Sequence, residues 1–142
     1  MSVKIHYDQV KYRIHKTAEI KRFLEKVIMD ENKTPGDLVF ILTNDETLVE
    51  INRKFLKHDY YTDIVTFDYS AEGALNGEIY MSIDTIRRNA RYYKSGIKEE
   101  LFRVMIHGIL HLCGYRDEGK EERDKMFSRQ EKRLKEFENR TE

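Results

Sequence analysis

Apolar residues recur at two different spacings along this chain, and the switches between them mark out its elements. Val3, Ile5 and Tyr7 alternate with polar neighbours, the period of a strand with one buried face. Ile20, Phe23, Leu24, Val27 and Ile28 then fall on one helical stripe, with Thr17 just ahead of it. Pro35-Gly36 holds the only proline and reads as a turn. Leu38 to Leu42 is an unbroken apolar run, the mark of a buried strand. Asn44 or Asp45 is placed to cap a helix whose inner face would be Leu48, Ile51 and Phe55.

Thr62 to Tyr69 is a second β-rich run, Ser70 to Gly77 reads as a loop, and Glu78 to Ile83 as another strand. Asp84 is placed to cap a helix running to about Lys94, with Ser95-Gly96 to end it. A strongly apolar helix follows from Ile97 to about Cys113 and stops at Gly114. The last segment, Glu121 to Phe137, is charged and helical in pattern, with Met126, Leu134 and Phe137 facing inward. Helical segments stand before, between and after about four strands. That mixture implies a layered fold with helices packed on a sheet. It does not give the strand order.

A length of 142 residues fits one domain, 1–142, and is enough to bury a core without a disulfide or a structural metal. A metal here would therefore serve chemistry. Lys plus Arg number 26 and Asp plus Glu number 26. With no net charge, the molecule has no overall field to draw in nucleic acid, so any RNA contact needs a local basic patch. The single cysteine, Cys113, excludes an intramolecular disulfide and suits a reducing compartment. The first residues lack the apolar core of a signal peptide, and no long apolar run exists. The expectation is a cytoplasmic protein with no membrane partner.

Candidate chemistry concentrates between Met105 and Asp117. His107 and His111 are one helical turn apart, so both imidazoles project from one face about 6 Å apart along the axis. Gly114 can turn the chain back and bring the Asp117 carboxylate to the same point. Two imidazoles, a carboxylate and an open fourth position form the pattern of catalytic zinc, which makes hydroxide available near neutral pH. Two core histidines satisfied by backbone groups would show the same spacing. Cys113 is a further ligand by type, but a regular helix points it elsewhere, as a small core residue. The extended zinc-protease motif requires Glu after its first His. Gly108 stands there instead, which disfavours peptide hydrolysis by that route.

The stretch resembles the signature of the YbeY family of endoribonucleases, H-G-x-L-H-L-x-G-Y-D-H, at His107, Gly108, Leu110, His111, Leu112, Gly114 and Tyr115. Two further family segments are matched by Ile51-Asn52, Phe55, Asp59, Thr62-Asp63 to Phe67, and by Gly77-Glu78-Ile79 with Ser82. The resemblance implies an α+β domain with about four mixed strands flanked by helices and a metal site on a central helix. It also implies a metal-dependent endoribonuclease specific for single-stranded RNA. Its role would lie in maturing rRNA, at the 3′ end of 16S rRNA, and in ribosome quality control. Partners would be small-subunit rRNA and the ribosomal subunit or its proteins, with no DNA expected.

The sequence departs from the family pattern at three positions. Asp117 stands where the family has its third His, Arg116 replaces the preceding Asp, and Leu56 replaces an Arg. Arg116, Lys57 or His58 could supply the missing cation. Asp59 and Asp63 are general-base candidates by family position alone, and each also suits a turn or a strand start. For RNA, the cluster Arg53, Lys54, Lys57 and His58 is favoured. Arg87, Arg91 and Lys94, with Arg88 alongside, form a second basic stripe beside Tyr92 and Tyr93. The plainer expectation for that stripe is a solvated face with its aromatics turned to the core. A non-catalytic ribosome-assembly module with a structural metal, or a zincin-like metalloprotease, are the competing readings.

Overall fold

The computed structural model of the chain describes residues 2–56 and 64–140. In chain order the strands are β1 (Ser2–Tyr7), β2 (Thr34–Thr43), β3 (Ile64–Asp68) and β4 (Ala74–Ser82). The helices are α1 (Thr17–Asp30), α2 (Asp45–Ile51), α3 (Ile83–Tyr92), α4 (Ile97–Leu112) and α5 (Lys120–Arg140). The sheet order is β1-β2-β4-β3. β1 and β4 both run parallel to β2, and β3 runs antiparallel to β4 at one edge. This is the expected α+β architecture with a four-stranded mixed sheet.

The parallel pairs need crossovers, and α1 supplies one between β1 and β2. Alternation then decides which face is buried. Leu38, Phe40 and Leu42 of β2 and Leu75, Ile79 and Met81 of β4 point to one face and are sealed from solvent. α1 and α4 cover that face. α3 and α5 pack in turn against α4, which makes α4 the central helix. Among the described residues no helix is long and apolar enough to cross a membrane.

Several local expectations need correction. Pro35-Gly36 lies inside β2, at an irregularity in its register with β4. A side chain at Gly36 would meet the Leu75 carbonyl oxygen at 2.5 Å, so this glycine permits close backbone approach and makes no turn. β4 begins at Ala74, within the segment read as a loop, because pairing with β2 extends it. Ser82, not Asp84, caps α3, accepting from the Thr85 amide. Asp84 instead accepts from the Asp45 amide at the start of α2. α3 already ends at Tyr92, and Gly96 caps the start of α4. Asn44 does cap α2 as expected, accepting from the Thr47 amide.

After Ile51 the helix widens into a π-turn, Asn52–Leu56. The extra residue per turn rotates Phe55 out of the inner face, and it is 60% exposed. Its ring packs edge-on against Phe67, which packs likewise against Tyr80.

Candidate metal centre

From Glu100 to Leu112, every residue of α4 is buried except Arg103, His107 and His111. These three recur every fourth position and form the one open stripe of a helix otherwise enclosed by the sheet, α1, α3 and α5. The apolar composition of α4 thus leaves the two imidazoles a single direction. Gly108 faces the sheet, where an added Cβ would lie 2.9 Å from Ile79 Cγ2. The position that carries the general base in a zinc protease is therefore packed against β4.

The helix ends in a glycine-dependent reversal. Gly114 has φ +106°, and its amide donates to the His111 carbonyl while Tyr115 N donates to Leu110 O, each at 3.0 Å. This reversal brings Asp117 Oδ2 to 3.6 Å from His111 Nε2. The Nε2 atoms of His107 and His111 are 3.1 Å apart, with the rings at 87°. One donor atom from each of His107, His111 and Asp117 lies within 4.8 Å of the others. Tetrahedral zinc with Zn–N bonds of about 2.0–2.1 Å sets its nitrogens about 3.3 Å apart. The histidine pair is at that spacing, and a half-exposed aspartate completes a set of suitable chemistry.

Two anchors hold this geometry, through Gln130, Glu31 and Arg133, none of which the sequence motifs single out. His107 Nδ1 lies 2.7 Å from Gln130 Oε1 of α5. Gln130 is 6% exposed and sits in register with Met126 and Leu134, four residues to either side. A polar residue on that inward stripe was the readable signal that it has a buried partner. The Tyr115 hydroxyl donates to Glu31 Oε1 at 2.7 Å, and Arg133 donates to Glu31 Oε2 at 2.6 Å. Burial pushes the Glu31 carboxyl up, but hydrogen bonds from Arg133 and Tyr115 outweigh it and hold the group below its ordinary range. α5 is therefore bound by buried polar contacts to both the site and the end of α1.

A cleft of about 610 Å³ opens between α3, α4 and α5, with His107 and Asp117 in its wall. Tyr93 and Phe127 stand on its rim, 67% and 60% exposed, and Val104 and Met126 form its apolar part. The expectation that Tyr92 and Tyr93 turn to the core is overturned, since their rings meet edge-on out in solvent. Arg88 is engaged with Asp45 at 2.7 Å, and the Arg87 guanidinium lies 5.9 Å from the centre of the Tyr12 ring. Arg116 is exposed on the same loop as Asp117.

Arg53 and Lys54 are exposed on the π-turn, around a separate hollow of about 370 Å³. Its Phe55 packs on Phe67, on the face of the sheet turned away from Ile79 and α4. Lys57, His58, Asp59 and Asp63 lie outside the described residues. Cys113 is partly buried, and burial together with the Glu31 charge pushes its thiol up to about 11. It stays a thiol at neutral pH and stands apart from the donor cluster.

This α+β domain presents two histidines one turn apart, with a carboxylate beyond a glycine reversal and an open cleft beside them, a donor set that could hold one metal ion. The family model described as Endoribonuclease YbeY matches residues 3–138. The Endoribonuclease YbeY of Bacteroides thetaiotaomicron is 42% identical over 134 residues, covering 94% of this chain and 98% of that protein. Its namesake in Parabacteroides distasonis is 37% identical, covering 94% of each. A solution structure of a Thermotoga maritima protein superposes with a TM-score of 0.64 at 30% identity, over 96% of this chain and 89% of that one. The chain belongs to the YbeY endoribonuclease family.

Proposed function

We propose that this chain is a metal-dependent endoribonuclease that cuts single-stranded RNA. Its place is in the cytoplasm, in maturation of the 3′ end of 16S rRNA and in ribosome quality control, with the small ribosomal subunit as partner. The observation that carries the reading is the convergence of His107, His111 and Asp117, with His107 and Asp117 in the wall of an open cleft. Membership of a family named for endoribonuclease activity supplies the substrate class.

A zinc ion bound by these three residues would supply Lewis acidity and a water that ionises near neutral pH. The protein's own part is to hold the donors and admit the substrate. His107 and His111 present their Nε2 atoms to one point, and Asp117 contributes a negative oxygen that is half-exposed and open to the cleft. Arg116, on the same loop, is placed to counter charge that develops on the phosphate. Tyr93 and Phe127 offer flat faces on which unpaired bases stack, which favours single strands over duplex. Arg53 and Lys54 serve a more distant stretch of the RNA backbone, with Lys57 and His58 beside them in sequence. The packing of Gly108 against Ile79 weighs against a metalloprotease.

The deciding experiment measures bound zinc and cleavage of a single-stranded RNA oligonucleotide for wild type and His111→Ala. Zinc and cleavage present in wild type and both lost in the variant support the proposal. Zinc bound without cleavage would replace it with the non-catalytic assembly module.

A further inference from the structure

His107 can serve a metal through Nε2 only when its proton sits on Nδ1, and the structure contains a chain of contacts that dictates this. Arg103 is always cationic and only donates. Its Nε and one terminal nitrogen reach the two carboxylate oxygens of Glu131 at 2.8 and 3.1 Å. Both oxygens of Glu131 thus accept from the Arg103 guanidinium. Gln130 Nε2 lies 3.1 Å from Glu131 Oε2, so the amide group of Gln130 must face Glu131 and its carbonyl oxygen must face away. That carbonyl oxygen lies 2.7 Å from His107 Nδ1, and an amide oxygen cannot donate. His107 must therefore donate from Nδ1, which leaves its Nε2 lone pair directed at His111 and Asp117.

We infer that Arg103, Glu131 and Gln130 act as a positioning relay that fixes the tautomer of His107 and so preorganises the site for a metal ion. The relay works by the direction of hydrogen bonding, from a cation that cannot lose its proton to an imidazole that could otherwise adopt either tautomer. It exists before any metal arrives and before RNA binds. The inference rests on the metal-site reading above. It is tested in the metal-free protein, so its failure is distinct from failure of the nuclease proposal.

The test is long-range nitrogen–proton NMR of the histidine rings in the metal-free full chain, at a pH where the imidazoles are neutral. Zinc affinity is measured on the same samples by competition with a chromophoric chelator. Wild type should show His107 protonated on Nδ1. Gln130→Leu removes the acceptor, should release His107 towards the Nε2-protonated form, and should weaken zinc binding about 10- to 100-fold. Gln130→Glu restores an acceptor and should return both the tautomer and most of the affinity. Amide spectra of each variant report whether the fold is kept. An unchanged tautomer in folded Gln130→Leu, or no recovery in folded Gln130→Glu, would overturn the relay. If Gln130→Leu does not fold, Glu131→Leu frees the Gln130 amide to flip, and an undisturbed His107 tautomer there would overturn it as well.

Discussion

Glu31 joins the end of α1, α5 and the loop that carries Asp117, and its removal is the most informative perturbation of this fold. In the Glu31→Gln variant, Arg133 loses its shortest ionic contact, at 2.6 Å, between side chains only 7% and 8% exposed. Breaking a fully buried pair from one side costs about 3–5 kcal/mol, because the remaining charge is stranded. Here Arg133 keeps Glu136 at 3.1 Å and Asp30 at 3.6 Å, both near the surface, so the loss should fall to about 2–3 kcal/mol. For a chain of this size that corresponds to a Tm lower by about 6–12 °C.

The effect should depend on pH, with a definite sign. Glu31 has a folded pKa below its ordinary value of 4.5. Its stabilisation is therefore fully present above that value and fades as pH falls through the folded pKa. Urea unfolding followed by circular dichroism should show the full difference from wild type at pH 7, narrowing steadily below pH 4.5. The Tyr115 hydroxyl can still pair with the glutamine amide, so the Gly114 turn and zinc binding should be little changed. A difference under about 0.5 kcal/mol at pH 7, or one that grows towards acid, would refute this account of the cluster.

Four other outcomes follow from the same geometry. EDTA should abolish RNA cleavage and added zinc restore it, while His111→Ala should stay inactive after zinc is added, more than about 100-fold below wild type. Gly108→Ala gains about 1 kcal/mol in helix propensity but forces a methyl against buried Ile79, so chemical denaturation should show a net loss of about 1–2 kcal/mol. Phe127→Ala and Tyr93→Ala should raise KM for single-stranded RNA with kcat retained, at about 1–3 kcal/mol per lost stacking contact, and leave zinc content unchanged in metal analysis. Cys113, with its thiol pushed up to about 11, should resist iodoacetamide in the native protein at pH 7 and react promptly once unfolded, as mass spectrometry can read.

Local periodicity was sufficient to place the elements and the pair of imidazoles. A turn of helix fixes the spacing of His107 and His111 whatever the rest of the chain does, and Gly114 announces the reversal that carries Asp117. The apolar faces of α1, β2 and α4 were legible for the same reason, since one residue's burial follows from its neighbours at three, four or two positions away. Motif resemblance added the family, which periodicity alone did not contain.

What only the tertiary structure decided depends on contacts between distant positions. The sheet order, the extension of β4 and the strand-bound Pro35-Gly36 arise from pairing across the sheet, which leaves no mark on either strand alone. The outward swing of Phe55 follows from a π-turn that the helical stripe gave no reason to expect. Gln130 meets His107 and Arg133 meets Glu31 across separations of 23 and 102 residues. A buried hydrogen bond is specified by where two backbones come together, and a pattern read along one dimension shows a polar residue on an inward stripe without showing which partner awaits it.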